Sequence, residues 1–391
     1  MGTGGGTSGD TSYTVTFKTN GGSAVDSQTV AAGETAKEPE APKKDGYKFG
    51  GWYADSALTS LFSFAAKIEK DITLYAKWID DSVPTYKVTV NPITNGTVTA
   101  TPSAGVAEGA EVTLEIKPDP GYVLDTLTVD GANKTADVAA GKYTFTMPAS
   151  NVTVSATFKS IYSTGLVGDI VLSDGKYIPA ENYTKYKSIV DASNETAIAV
   201  IFDETNKLGL GLVQGTNRAW AQSGKTGYTN KITGLVCTPT GNNASTATFS
   251  GVTDGRQSLD TFKDFVENNS NDYSDANYPA WYWIENYAAT AGLTGAYASG
   301  WYIPSVKELC DLYKVKDVVN NSIQKVGGTQ LFTSYSTSGY AIWYWSSSQS
   351  LSGSADASAD ASAWNVSFET GAITSGHKTH TNTASAVRAF N

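Results

Sequence analysis

Short segments of alternating apolar and polar residues, separated by Gly, Pro and Asn, dominate the chain as far as Phe158. The run "YTVTF" from Tyr13 predicts a strand, "TNGG" a tight turn, and "QTVAAGE" a second strand. "DITLYAKW", which ends at Trp78, predicts the closing strand of this first unit. After a short linker with Pro84, six more strand-like runs follow from Tyr86 onwards. The pattern therefore predicts two small all-β units in tandem.

The pattern changes after the second unit. "AIAVIF" and "LGLGLV", joined by the polar "DETNK", predict a buried hairpin. In "IPSVKELCDLY" the apolar residues recur on one helical face, with Ser305 as N-cap and Glu308 three residues later completing a capping box. Strand-like runs return in "AIWYWSS", "AWNVSF" and "SAVRAF". A few helices within a mostly β segment predict an α+β domain over residues 165–391.

Length and charge narrow the class of protein. The chain has 391 residues, too many for one ordinary core, and three domains are expected. Its 28 Lys and Arg against 38 Asp and Glu leave a net charge of −10, which repels phosphate backbones and argues against nucleic acid as a partner. No apolar run approaches the roughly 20 residues that a membrane-spanning helix requires.

The N-terminal motifs carry a family resemblance. "TVTFKTNGG", "GYKFGGWY" and "ITLYAKW" together resemble the Listeria–Bacteroides repeat, a β-grasp-like module of the internalin B-repeat type, over residues 13–78. Residues 86–158 resemble the divergent relative of the same repeat. The resemblance implies a spacer or adhesive stalk on a bacterial surface. The first unit is also predicted to have a small aromatic core of Tyr47, Phe49, Trp52, Tyr75 and Trp78.

The first twelve residues, "MGTGGGTSGDTS", predict a flexible tether because they are almost all Gly, Ser and Thr. The segment resembles the spacer that follows the lipid-modified cysteine of bacterial surface lipoproteins. That resemblance implies an outer-membrane lipoprotein that faces the extracellular side, attached to the membrane only by an N-terminal lipid.

Five ordered motifs after residue 165 carry a second resemblance: "GDIVLSDG", "GWYIPSVKEL", "YWSSSQ", "AWNVSF" and "AVRAF". Together they resemble a bacterial C-type-lectin-fold domain, related in fold to formylglycine-generating enzymes and similar to that of the Treponema variable protein of diversity-generating retroelements. The resemblance implies that the first and last strands pair, with Val171 and Val387 in one sheet. It also implies that a carboxylate holds Arg388.

Catalytic and metal chemistry are not expected. The enzyme branch of that superfamily uses a cysteine pair near the C-terminus, and this chain has no cysteine after Cys310. Cys237 and Cys310 are expected to be buried structural thiols, and a disulfide between them remains the alternative. There is no carboxylate-rich loop for calcium, and His377 and His380 are better explained as exposed polar side chains than as zinc ligands. No cofactor is predicted.

In variable proteins of this fold the C-terminal segment changes on a constant scaffold, which implies where a ligand would bind. The implied ligand-binding residues are Trp343, Asn365, Ser367, Thr370, Ala372, Thr374, His377, Thr379, His380 and Asn382. Strand alternation predicts that Trp343 lies beside Trp345 and opposite Tyr344, and that Asn365 and Ser367 share the displayed face. The nearby tandem repeat "SADASADAS" is favoured as a flexible low-complexity loop.

These observations predict a bacterial cell-surface ligand-binding protein that displays its binding face on a stalk of β modules. Its partner would be a protein or glycan on a host or neighbouring cell. Residues 350–362 and 370–385, apart from Lys378, are ones that an adenine-mutating template can encode, so diversification by a retroelement is a further hypothesis. The alternative is a non-diversified structural adhesin or stalk protein without a dedicated ligand site.

Overall fold

The computed structural model describes residues 11–82, 84–332, 342–350 and 361–390. Nearly all of the predicted tether, and most of the "SADASADAS" repeat, lie outside the described residues. Contacts divide the chain into two compact units that meet in sequence between Lys159 and Ser160.

The first module is a single four-stranded sheet. Its strands are β1 (Ser12–Lys18), β2 (Gln28–Ala31), β3 (Tyr47–Tyr53) and β4 (Ile72–Asp80). They lie in the order β2-β1-β4-β3, with β1 and β4 parallel and the other pairs antiparallel. Alternation along the strands buries Val15 and Phe17 of β1 with Leu74 and Ala76 of β4, because successive side chains point to opposite faces of a sheet.

Three of the five predicted aromatic core residues belong to this core. The ring of Phe49 lies 5.3 Å from that of Trp52 and 5.8 Å from that of Trp78, both edge to face. The prediction is wrong for Tyr47, which is 41% exposed, and for Tyr75. Tyr75 alternates with buried neighbours on β4 and so points to the outer face of the sheet.

The second module consists of short strands in three small sheets. The strands are β5 (Thr85–Tyr86), β6 (Val88–Val90), β7 (Gly96–Thr101), β8 (Val106–Ala107), β9 (Glu111–Pro118), β10 (Tyr122–Val129), β11 (Ala132–Asn133), β12 (Lys142–Thr146) and β13 (Val152–Ser160). The sheet orders are β11-β10-β13-β6, β12-β9-β7 and β5-β8. One apolar core joins side chains such as Val112, Leu114, Leu127 and Val154.

The C-terminal unit is a mixed α/β structure around an eight-stranded sheet. Its strands are β14 (Ile170–Leu172), β15 (Tyr177–Ile178), β16 (Ala197–Asp203), β17 (Leu208–Ala219), β18 (Cys237–Thr240), β19 (Thr248–Gly251), β20 (Trp343–Gln349), β21 (Ser362–Ser367), β22 (Ile373–His377) and β23 (Thr381–Ala389). The large sheet has the order β15-β14-β16-β17-β23-β20-β21-β22, and β18 pairs with β19. The predicted hairpin is β16 and β17, which pair antiparallel.

Helices accompany this sheet: α1 (Ala180–Lys185), α2 (Lys187–Ala192), α3 (Thr226–Thr229), α4 (Ser258–Asn269), α5 (Pro279–Glu285), α6 (Tyr287–Thr290), α7 (Val306–Lys314) and α8 (Lys316–Lys325). The predicted capping box at α7 is confirmed: Glu308 N donates to Ser305 Oγ at 3.2 Å, and Ser305 N donates to Glu308 Oε2 at 2.7 Å. In the part of the chain that the structure describes, no helix combines the length and apolar character needed to cross a membrane.

The two faces of the sheet contact different helices. The ring of Tyr344 lies 4.8 Å from that of Phe368, which in turn packs against Tyr313 of α7. Trp345 instead enters the cluster of Trp220 and its neighbours from α4 and α5. The predicted opposition of Tyr344 and Trp345 therefore holds, as strand alternation requires.

Two details implied by the fold resemblance are wrong in the structure. Val171 and Val387 share the large sheet, but β16 and β17 separate their strands, so β14 and β23 do not pair. Among the described residues no carboxylate pairs with Arg388: its guanidinium donates to the Ser299 carbonyl and lies 4.9 Å from the ring centre of Tyr297. A backbone oxygen and an aromatic face replace the expected ion pair.

Candidate functional site

Most of the predicted ligand-binding residues lie on the C-terminal half of the large sheet. Trp343 of β20 is opposite Ser367 of β21, and Trp345 is opposite Asn365. Asn365 is in turn opposite Thr374 of β22. The residues therefore occupy neighbouring positions on three adjacent strands, as the alternation argument requires.

Asn365 and Ser367 nevertheless do not reach the surface. Asn365 is 4% exposed and Ser367 is fully buried, so the prediction that they form a displayed face is wrong. Thr374 Oγ1 donates to Asn365 Oδ1 at 2.6 Å, and Ser367 Oγ accepts from Thr370 N at 3.3 Å inside the β21–β22 turn. Strand alternation gives the side on which a side chain lies, but what covers that side depends on the rest of the fold.

The remaining predicted residues differ in exposure. Thr370, Thr374, His377 and His380 are exposed. The partly buried ones are Trp343, Ala372, Thr379 and Asn382. The four exposed predicted residues therefore lie on β22 itself, Thr374 and His377, or in the turns that flank it, Thr370 and His380.

The turn between β22 and β23 brings several exposed polar groups together. Tyr228 Oη and His377 Nδ1 are 3.1 Å apart, and the rings of His377 and His380 lie 5.9 Å apart. The first residues of β23 pair with the end of β17, where Arg218 is opposite Asn382. We call this area the C-terminal turn surface; its residues are Arg218, Tyr228, His377, His380, Thr381 and Asn382.

A buried lysine holds this turn in place. Lys378 is fully buried, and its Nζ donates to the carbonyls of Gly227 at 2.8 Å and Tyr228 at 3.1 Å. The ammonium lies 4.6 Å from the ring centre of Trp220, whose backbone N–H donates to the Lys378 carbonyl at 2.8 Å. These contacts tie the turn to α3 and to the aromatic core, so the exposed residues on either side rest on a fixed base.

No role for Lys378 follows from the sequence pattern alone. One feature of the sequence could have identified it: Lys378 is the one long charged side chain in residues 370–385, which are otherwise mostly small and polar. A buried ammonium is expensive unless it is hydrogen-bonded, which is why its contacts identify it as a structural anchor.

The two cysteines bear on whether the C-terminal unit has a reactive thiol. Cys237 and Cys310 are free and buried, and burial raises the pKa of Cys237 to about 11 and that of Cys310 to about 12, which keeps both protonated at neutral pH. Over the described ranges, no three His, Cys, Asp or Glu side chains come together in a way that would hold a metal ion.

A polar cleft of about 130 Å³ opens beside the start of α7. Its cations pair with nearby carboxylates: Arg256 Nε lies 2.9 Å from Asp254 Oδ2, and Lys307 Nζ lies 2.6 Å from Asp311 Oδ2. Glu308 lies at the bottom, 5% exposed. The charges of the cleft are thus largely satisfied within the protein.

Glu308 was recognised from the sequence only as a capping residue. Besides the Ser305 N–H, its carboxyl accepts from Gly255 N at 3.1 Å and from Tyr302 Oη at 3.0 Å. Burial raises the pKa of Glu308 to about 7. Its hydrogen bonds join the segment around Gly255 to the segment 302–308, which makes it a structural side chain that titrates near neutral pH.

Comparison with known proteins identifies the N-terminal modules. Residues 13–77 match the Listeria–Bacteroides repeat domain, and residues 86–162 match the Divergent InlB B-repeat domain. Both matches agree with the modules expected from the sequence motifs.

Two curated relatives match part of this chain. Internalin H of Listeria monocytogenes is 35% identical over 153 residues, which is 37% of this chain and 25% of the relative. A protein of Evansella cellulosilytica, named as a membrane protein, is 46% identical over 67 residues, 17% of this chain and 10% of the relative. This chain spans a quarter or less of the length of these curated relatives. It carries two N-terminal modules of the Listeria–Bacteroides and InlB B-repeat type, followed by a mixed α/β unit.

Proposed function

We propose that this is a bacterial surface protein in which the two repeat modules support a C-type-lectin-fold unit that binds a ligand through its C-terminal turn surface. The observation that carries the proposal is the turn anchored by Lys378, which leaves His377, His380 and Thr381 exposed on a fixed base. A preorganised base reduces the entropy that binding would otherwise lose.

Two features favour the C-type-lectin fold, although β14 and β23 do not pair as the resemblance implied. The last strand, β23, lies in the middle of the sheet, antiparallel to β17 and parallel to β20. The long connection between β17 and β20 contains α3 to α8, so the helices are inserted between neighbours of the closing strand. Comparing an experimental structure of the unit with known C-type-lectin folds tests this assignment; a different strand order would contradict it.

The proposed role is binding and not catalysis. Both thiols are buried with raised pKa values, so neither supplies a thiolate at neutral pH. The partner would be a protein or glycan on a host or neighbouring cell.

The surface location rests on the repeats. This chain is similar to Internalin H and to a protein named as a membrane protein, and we extend a surface setting to it together with an N-terminal lipid anchor. Protease treatment of intact cells tests the location: the full-length protein should be cleaved while a cytoplasmic marker stays intact. Survival of the protein on intact cells, with cleavage after lysis, would contradict it.

Diversification by a retroelement is the finer part of the proposal. Thr370, Thr374 and His377 are exposed and are residues that an adenine-mutating template can encode. The test is genomic: a neighbouring reverse transcriptase gene with a near-copy of the segment that encodes residues 343–386, differing mainly at adenines. If related genomes lack both, the diversification hypothesis fails while the binding proposal stands.

The binding proposal is tested with glycan and protein arrays. The full chain should bind a ligand, and the triple substitution H377A/H380A/T381A should weaken binding at least tenfold, since a contact surface depends on a few central side chains. A matched control, E204A/Q257A/N268A, removes three exposed side chains elsewhere in the same unit and should bind as the parent does.

Two results would contradict the proposal. Normal binding by the turn variant, or equal weakening by both variants, would place the site elsewhere. A parent chain that binds nothing on arrays of host and bacterial surface components would favour the alternative, a structural adhesin or stalk without a ligand site.

A further inference from the structure

A second cleft in the C-terminal unit lies away from the C-terminal turn surface. It has a volume of about 230 Å³ and is bordered by α4, by the α5–α6 pair and by the segment 298–301. None of the residues predicted to bind a ligand lines it. Its shape and chemistry therefore require an explanation of their own.

The lower part of the cleft is apolar and held rigidly. Trp301, Ile284 and Ala288 line it and are each at most 6% exposed. The Trp301 ring lies 4.6 Å from that of Tyr287, and its Nε1 donates to the Tyr297 carbonyl at 2.9 Å. A fixed indole with its polar atom already bonded offers an apolar surface for the body of a small molecule.

The segment that forms one wall is fixed by the last strand. Arg388 of β23 donates to the Ser299 carbonyl, and its guanidinium is stacked on Tyr297. The next residue, Gly300, has a φ of +82°, a conformation that favours glycine. Contacts with β23 thus hold this wall in position without a ligand.

The rim carries more negative than positive charge. Lys263 Nζ lies 2.5 Å from Glu285 Oε1 and 4.0 Å from Glu267 Oε1, so its charge is shared between two carboxylates. Asp260 also lines the cleft, is exposed, and has no ion pair within the described ranges. Among the side chains that line the cleft, two carboxylates, Asp260 and Glu285, face one cation, Lys263. The surplus favours a cationic guest.

We propose that this cleft binds a small organic cation: a protonated amine carried on a compact apolar body. The body packs on Trp301, while the ammonium lies between the carboxylates of Asp260 and Glu285. The site is separate from the C-terminal turn surface, and its existence does not depend on the function proposed there.

Three matched small molecules test the charge preference. Phenethylamine, 2-phenylethanol and phenylacetate share an aromatic body and differ in charge, and each is titrated into the full chain with saturation-transfer NMR as the readout. Phenethylamine should bind severalfold more tightly than the alcohol, and phenylacetate should bind most weakly, because the rim carries surplus negative charge. Equal binding of the three, or no binding of the amine, overturns the proposal.

Variants then test the location. Ala298→Phe fills the cleft from an exposed wall position and should abolish phenethylamine binding. Asp260→Asn should weaken it about two- to fivefold, the range for an exposed ion pair. Asp264→Asn is the control: it lies one turn further along α4, is exposed and does not line the cleft, so it should change nothing.

The control also shows whether a loss of binding is caused by a loss of folded structure. Both aspartates are exposed on one helix, so both variants should melt as the parent does. Equal effects of Asp260→Asn and Asp264→Asn, or unchanged binding by a folded Ala298→Phe variant, would overturn the assignment to this cleft.

Discussion

The repeat modules and the C-terminal unit differ in whether their cores contain polar side chains. Throughout the described residues up to Lys159, the buried residues are apolar, and the polar residues are partly or fully exposed. Every buried polar or charged side chain in the described ranges lies in the C-terminal unit, including Gln214, Glu308, Asn365 and Lys378. The modules therefore depend on apolar packing, and the C-terminal unit on packing together with hydrogen bonds between buried polar side chains.

This difference has consequences for substitution. A buried polar group costs free energy unless it finds a partner, so each one restricts its neighbours. Ser385 Oγ, for example, donates to Gln214 Oε1 at 2.6 Å between adjacent strands. Such pairs specify one arrangement of strands, whereas the apolar cores of the modules tolerate substitutions that keep volume. Surface variation in the C-terminal unit must therefore leave the network intact.

The largest expected effect separates the two units. Trp220→Ala should destabilise the C-terminal unit by about 3–5 kcal/mol, since it removes a fully buried ring and the hydrogen bond from Nε1 to the Ser346 carbonyl at 3.0 Å. Hydrogen-exchange mass spectrometry, read peptide by peptide, should show faster exchange after residue 160 and unchanged exchange before it.

Trp52→Ala is the matched substitution in the first module. Trp52 is 2% exposed and its Nε1 has no hydrogen-bond partner among the described residues, so only packing is lost. Exchange should rise in residues 13–77 and stay unchanged after residue 160. If either substitution accelerated exchange in both units, the two units would not be independent.

Glu308 should make the stability of the C-terminal unit depend on pH. Because burial raises its pKa to about 7 from an ordinary 4.5, the folded state holds this proton more tightly than the unfolded chain does. The stabilising contribution is full below pH 4.5 and is lost as pH rises to 7, a change on the order of 3 kcal/mol. Urea unfolding at several pH values measures it.

Two variants isolate this group. Glu308→Gln keeps the hydrogen-bonding shape and should remove the difference in free energy of unfolding between pH 4.5 and pH 7 that Glu308 causes. Glu308→Ala should cost about 2–4 kcal/mol at acid pH, because the Ser305 and Gly255 N–H groups lose their acceptor. A Gln variant with the pH profile of the parent would show that Glu308 has an ordinary pKa.

A smaller effect is expected at Asn365. Asn365→Ala should cost about 1–3 kcal/mol of unfolding free energy, since the Thr374 hydroxyl loses its acceptor and a buried gap is left. Thermal unfolding measures it. An unchanged midpoint would indicate that Asn365 is exposed, as the sequence alone suggested.

The smallest effect is expected on the C-terminal turn surface. The triple substitution H377A/H380A/T381A should change the free energy of unfolding by less than about 0.5 kcal/mol per site, because all three side chains are exposed. Urea unfolding of the triple variant and of Asn365→Ala under the same conditions compares their free energies of unfolding directly. A loss as large as that of Asn365→Ala would mean that the turn belongs to the folded network.

Local patterns were enough for much of the architecture. Alternation predicted the strands of both modules, and the motifs predicted their family. The hairpin of β16 and β17 follows from two apolar runs around a polar turn, and the capping box at Ser305 follows from two residues three apart. Each of these features depends on residues close together in sequence, so the information is local.

The candidate site was predicted less well because its properties are not local. Alternation placed Trp343, Asn365 and Ser367 on one side of the sheet, but it could not say that this side is covered at Asn365 and Ser367. The role of Lys378 depends on Gly227 and Tyr228, some 150 residues away in sequence.

The sequence by itself determined the strands, the helix cap, the repeat modules and the side of the sheet on which each side chain lies. Only the tertiary structure decided which of those sides is buried, that Arg388 has a carbonyl and an aromatic ring for partners, and that Glu308 titrates near neutral pH. The physical reason is that burial and the partners of a charged group are set by segments far apart in the chain, whereas periodicity and capping are set within a few residues.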